Sequence, residues 1–255
     1  MTASDDDQEL TLIDHLLELR ARIFKALIAV VIILVGLAPF ARTLYSYLSA
    51  PLIKHLPDGA SMVAIDVASP FFAPFKLVML LALLLAMPVV IYQAWAFVAP
   101  GLYREEKRLA KPLLVAAVGL FYAGCAFAYF AVFPIIFAFF TTMAPEGVAV
   151  MTDISRYLDF VITLFIAFGL AFQVPVVTIV LVAIGAVSVG TLTRARGYVI
   201  VGAFTVAMLI TPPDVISQTL LAIPVLLLYE LGIIFARLMV RRPQSSSSSD
   251  GPSPD

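Results

Sequence analysis

Between Asp159 and Arg194 the chain runs for 34 residues without one charged side chain. A bilayer core takes about 20 mostly apolar residues as one helix, so a run of this length reads as a membrane span rather than as the inside of a soluble domain. Similar runs recur along the chain. Six candidate spans follow, at roughly residues 23–40, 76–97, 112–140, 157–184, 197–210 and 215–238. Composition agrees: 62% of residues are hydrophobic and 13% charged, about half the charge that covers a water-soluble domain. The expected fold is all-α, a polytopic membrane protein with six transmembrane helices, the last two short. Its organisation is a cytoplasmic amphipathic segment over 1–22, a transmembrane domain over 23–240 and a disordered, serine-rich cytoplasmic tail over 241–255.

Orientation comes from the basic residues, which are retained in the cytoplasm. Of the 16 Lys and Arg, 12 fall on one face: Arg20, Arg22, Lys25, Arg104, Lys107, Arg108, Lys111, Arg194, Arg196, Arg237, Arg241 and Arg242. The other face has only Arg42, Lys54, Lys76 and Arg156. Both termini are therefore expected in the cytoplasm. The N-terminus, MTASDDDQELT, is acidic where a secretory signal needs a basic stretch, so the first apolar segment is expected to stay in the mature protein.

Several function classes drop out. A net charge of −1 gives no reason to expect nucleic-acid binding, and the lone Cys125 offers neither a disulfide framework nor a thiolate metal site. There is no GxxxxGK[ST] loop, HExxH, CxxC or GxSxG elbow, hence no catalytic constellation, metal site or cofactor to expect. Work across the membrane must draw on an ion gradient or on partner proteins.

The polar residues that remain are few. His15, Glu18, Arg22 and Lys25 share one face of a helix leading into the first span, while Leu12, Leu16, Leu19 and Ile23 share another. Solubility and orientation already account for Glu18 and its arginines. Glu105 and Glu106 stand among Arg104, Lys107 and Arg108, where acidic residues add little to topology and in-loop ion pairs contribute about 0–1 kcal/mol each. Two readings stand: a solvated charge cluster, or a carboxylate site for a guanidinium, whose rigid fork Lys cannot copy.

Deeper in the membrane, Gln173 either faces protein or water or helps satisfy carbonyls freed by Pro175. Glu230 interrupts the last span and either snorkels or meets a partner's cation. The fifth span has about 14 helical residues, roughly 21 Å against a core of about 30 Å. Bilayer thinning, shielding by partner helices, or a misplaced boundary with tilt elsewhere are the alternatives. The first outer loop, residues 42–72, is apolar and punctuated by proline, which suits short interfacial helices or plain packing.

Six ordered motifs carry a family resemblance: residues 15–22 (HLLELRAR), 49–54 (SAPLIK), 66–72 (DVASPFF), 97–108 (FVAPGLYREEKR), 172–175 (FQVP) and 211–224 (TPPDVISQTLLAIP). On these, over nearly the whole chain, the sequence resembles TatC, the polytopic subunit of the twin-arginine protein translocase. The resemblance implies a receptor in a bacterial-type inner membrane that binds twin-arginine signal peptides of folded precursors from the cytoplasm. Their transport would be driven by the proton motive force, in an oligomeric complex with TatA-like and TatB-like single-span membrane proteins. It assigns Glu18, Arg20, Phe97, Leu102, Tyr103 and Glu106 to signal-peptide binding, with Glu105 auxiliary. Pro51, Phe71 and Asp214 match outer-side positions important for transport, and Met208, Thr211 and Gln218 match the surface that docks partner helices. At the position of Gln173 many relatives carry Glu, and a glutamine cannot relay a proton. The alternative function is a secondary solute or ion transporter using Gln173 and Glu230, against which stand the absence of an inverted repeat and the few intramembrane charges.

Overall fold

The computed structural model describes residues 3–46, 62–65, 67–98, 107–142, 152–210 and 215–240. Apart from one two-residue strand pair, every regular element is helical: α1 (Ala3–Leu37), α2 (Ser69–Val98), α3 (Lys107–Phe127), α4 (Phe133–Thr142), α5 (Ile154–Ala171), α6 (Val174–Ala183), α7 (Val189–Arg194), α8 (Arg196–Ile210) and α9 (Val215–Val240). Among the described residues, five stretches are long and apolar enough to cross a membrane: Ile13–Ser46, Ser69–Val98, Lys111–Ile136, Ile154–Ala183 and Gln218–Leu238. The shorter α8 is apolar as well. The interfacial helices expected in the first outer loop and the tail from 241 lie largely or wholly outside the described residues.

The amphipathic segment and the first span form one uninterrupted helix, because nothing between Ala3 and Leu37 breaks it; the first proline after them, Pro39, sits in a 3₁₀ turn over Ala38–Phe40. α1 packs along α2 and leaves Ile28, Val31, Ile32 and Val35 exposed. In lipid that costs nothing, since acyl chains are as apolar as the side chains themselves.

Proline shapes the other helices. Inside α2, Pro88 cannot donate to the carbonyl of Leu84, four residues back, and the Tyr122 hydroxyl of α3 donates to that same oxygen at 2.9 Å. A π-helical turn over Ala128–Val132 joins α3 to α4 just before Pro134. The fourth span is two helices. α5 stops at Ala171, and Pro175 falls at the start of α6, where a missing N–H is harmless. α6 ends at Ala183, capped by Ile184 and followed by Gly185 in the left-handed region (φ 73°), a conformation that glycine adopts without strain.

Small residues let the helices close up. A Cβ built on Gly232 of α9 would stand 2.9 Å from Cα of Pro175 and overlap the Thr178 hydroxyl on α6. At Gly124 of α3 it would meet the Phe168 carbonyl oxygen at 2.5 Å, and at Gly169 of α5 the Phe121 ring at 2.5 Å. Membrane helices have little hydrophobic drive toward each other, so this close approach and the dispersion contacts it allows hold the bundle. One core cluster joins Val132, Ile136, Leu164, Phe168, Ala207 and Leu221, and a second joins Trp95, Phe121, Cys125, Val176 and Ile179.

At the face with few basic residues, β1 (Met62–Val63) pairs in parallel with β2 (Thr152–Asp153), Met62 opposite Thr152 and Val63 opposite Asp153. Asp153 then caps α5 by accepting from the Ser155 N–H at 3.1 Å, and the Ser155 hydroxyl donates to Ser69 at 2.9 Å. One turn on, Lys76 pairs with Asp159 at 2.6 Å. The starts of α2 and α5 are thereby tied side by side.

Shortness applies to the fifth span and not to the last. α8 has 15 residues, about 22 Å, whereas α9 has 26, about 39 Å. The expectation of a short last span does not hold, because α9 is one unbroken helix whose apolar stretch, Gln218–Leu238, is itself long enough to cross a membrane. Beside the start of α8, the chain fills space with α7, which Tyr229 holds by donating to the Leu192 carbonyl at 2.7 Å and Arg237 by donating to Thr193 at 3.0 Å.

Candidate functional site

α1 reaches the end of α2 through one aromatic contact. The His15 imidazole stacks on the Phe97 ring with centroids 4.2 Å apart and planes 22° from parallel. Phe97 lies in the last turn of α2, so the stack holds the first turns of the described part of α1 against the end of the second span. Three residues beyond His15 on the same helix face, Glu18 is half-buried and engaged: Arg22 donates to its Oε1 from Nε at 3.0 Å and from Nη2 at 2.5 Å. The order, Glu four residues before Arg, is the favourable one on a helix, and at 22% and 37% side-chain exposure the pair contributes well under about 1 kcal/mol. The site therefore contains a carboxylate that already accepts a guanidinium and releases it at small cost. Arg20 points elsewhere, its guanidinium 5.6 Å from the centroid of Phe24.

Of the other residues singled out by sequence, Leu102, Tyr103 and Glu106, with Glu105, lie outside the described residues, as do Pro51, Thr211 and Asp214. Phe71 sits exposed in the first turn of α2, edge-to-face with Phe72 at 5.3 Å. Met208 is exposed on α8, and Gln218 is partly buried in the first turn of α9. α5, α8 and α9 enclose an open apolar groove of about 650 Å³, lined by Thr163, Phe168, Gly202, Ala207, Leu221 and Val225 among others, with Met208 outside its lining.

The two intramembrane polar groups are both accounted for. Gln173 donates from Nε2 to the Ala117 carbonyl on α3 at 2.9 Å, so it faces protein and does not serve the carbonyl freed by Pro175, which is that of Ala171. Glu230 accepts from Arg196 at 2.6 Å; its partner is this chain's own cation rather than one from elsewhere. Sequence reasoning missed Arg196 because the residues are 34 positions apart and the pairing depends on where α8 begins. Glu230 lies ten residues before the end of α9, about 15 Å along the axis, so α8 starts at that depth and not level with Val240. Replacing Glu230 by Gln is expected to cost about 1 kcal/mol of stability, and the swap Arg196→Glu with Glu230→Arg to restore most of it. A thermal-stability series in detergent checks this, and a double variant no better than the worse single one would break the assignment.

The family model of the Sec-independent protein translocase protein (TatC) matches residues 14–224. The chain belongs to the TatC family. It is 56% identical over 254 residues to the TatC of Azotobacter chroococcum mcd 1, covering 99% of each chain. Against the TatC of Escherichia coli K12 it is 55% identical over 229 residues, 90% of this chain and 89% of that one. A crystal structure of the twin-arginine translocase receptor TatC aligns with a TM-score of 0.79 at 36% identity, covering 89% of this chain and 100% of the solved one. The chain is accordingly a multi-pass membrane component of a protein translocase, and not an enzyme. The matched region begins at Asp14, just ahead of the His15–Glu18–Arg22 face, and extends to Pro224 in α9.

Proposed function

We propose that this TatC-family chain is the receptor subunit of the translocase. It binds twin-arginine signal peptides at the cytoplasmic face of a bacterial-type inner membrane and recruits TatA-like and TatB-like single-span partners, so that folded precursors cross on the proton motive force. The observation that carries the reading is Glu18: a half-buried carboxylate, beside an aromatic contact between α1 and α2, that already holds a guanidinium. Glu106 supplies the second carboxylate, one for each arginine of the pair, with Arg20, Phe97, Leu102 and Tyr103 around them. The 12-to-4 division of basic residues supports cytoplasmic termini and puts Glu18 and Glu106 on the same side.

Pro51, Phe71 and Asp214 belong to the opposite side and serve transport after binding. Met208, Thr211 and Gln218 dock the partner helices, a role supported by the exposure of Met208 on α8. Because Gln173 cannot ionise and is tied to Ala117, proton coupling is assigned to no residue at that position.

The test is crosslinking of a photoreactive Arg-Arg signal peptide to the full chain in native membranes. Glu18→Ala is expected to reduce the adduct about ten-fold, the value of one charge-assisted hydrogen-bonded contact, while the amount of inserted protein stays the same. Undiminished crosslinking would remove Glu18 from the site.

A further inference from the structure

A carboxylate prefers arginine to lysine when both its oxygens are free for the guanidinium fork, and at Glu18 one is already taken by Arg22. The His15–Phe97 stack offers the missing element. His15 is exposed, so with one face of its imidazole against Phe97 the other is open among the described residues. Glu18 stands one layer further along the same helix face, about 4.5 Å up the axis. Its Oε1 is taken by Arg22, whereas among the described residues Oε2 accepts no hydrogen bond.

We infer that the His15–Phe97 pair is a stacking floor for a planar guanidinium of the incoming peptide, whose N–H edge reaches Oε2 of Glu18. His15 is then a specificity-determining residue for arginine over lysine. This rests on the receptor reading proposed above. The physical reason is shape and hydration. A guanidinium is flat and weakly hydrated, so it lies on a ring face and keeps its in-plane donors for a carboxylate. A lysine ammonium is compact and strongly hydrated, and has no flat face to lay down. Arg22 repels both cations alike, so it lowers affinity without discriminating between them. Phe97 by itself presents its face to His15; the surface offered to a ligand is the imidazole.

The experiment uses the full chain in lipid nanodiscs and two fluorescent signal peptides that differ only in Arg-Arg against Lys-Lys. His15→Ala and His15→Leu are expected to weaken Arg-Arg binding about five-fold while changing Lys-Lys binding by less than about two-fold, so that the preference collapses. His15→Phe, which keeps a flat ring against Phe97, should retain the preference. Leucine preserves apolar packing against Phe97 without a planar face, which separates stacking from mere helix contact. An unchanged Arg-Arg to Lys-Lys ratio in both the alanine and the leucine variants overturns the inference, as does an equal loss for both peptides, the sign of a purely structural role. Glu18→Ala runs in parallel. Full Arg-Arg binding in that variant would take Glu18 out of the site and overturn this inference, absence of Arg-Arg binding by the wild-type chain would overturn the receptor reading, and loss in Glu18→Ala with a ratio indifferent to His15 would overturn only the stack.

Discussion

Valine at Gly232 is expected to cost about 3 kcal/mol of stability, among the largest effects of any single substitution in the bundle. The reason is backbone proximity. α9 lies so close to α6 that even one added carbon meets the Pro175 Cα at 2.9 Å and the Thr178 hydroxyl. The Pro175 side cannot yield, because the atom in the way is main chain. Thr178 is itself fixed, buried and donating to the Pro175 carbonyl at 2.8 Å. Relief therefore requires the two helices to separate, which also loosens Leu192, Tyr229 and Ile233 around α7. Valine at Gly36 is the matched comparison: a Cβ there meets nothing within 4 Å, so stability should be unchanged or slightly improved. Thermal unfolding of both variants in one detergent measures the contrast. Equal midpoints would show that α6 and α9 are not in the contact described.

The double variant Glu18→Ala, Glu106→Ala should lose Arg-Arg peptide binding by about a hundred-fold or more. Each carboxylate that accepts from a guanidinium is worth about 1.5–3 kcal/mol, and the two are expected to act on different arginines, so their losses add to a first approximation. Raising salt should weaken wild-type binding and leave the residual binding of the double variant nearly unaffected, since only the former depends on charge. Fluorescence anisotropy with the purified chain in nanodiscs reads both. Wild-type affinity in the double variant would end the receptor proposal, because Glu18 and Glu106 are the two carboxylates assigned to the arginines and Glu105 is only auxiliary.

How much of this could be read from the chain alone depends on the distance over which each effect acts. The spans were legible because hydropathy is summed along consecutive residues, and a bilayer applies the same requirement to each of them. Glu18 was visible as a carboxylate sharing a helix face with Arg22, since i and i+4 neighbours are set by helical geometry. Its neighbour across the fold was not visible. Nothing local tells His15 that Phe97, 82 positions later, will end a helix beside it. The same holds for Tyr122, which satisfies the Leu84 carbonyl that Pro88 leaves open: the need is readable from the proline, the donor is not.

The sequence by itself determined a membrane-spanning helical chain, the division of its basic residues between two faces and the set of polar residues available for function. Tertiary structure decided which of those residues meet: Glu230 with Arg196, Lys76 with Asp159, Gln173 with the Ala117 carbonyl and His15 with Phe97. The physical reason is that apolar burial in lipid is non-directional and adds up along one helix, whereas a hydrogen bond, ion pair or ring stack needs two groups within a few ångströms. That separation is set by the small residues, Gly124, Gly169 and Gly232, at which the helices touch.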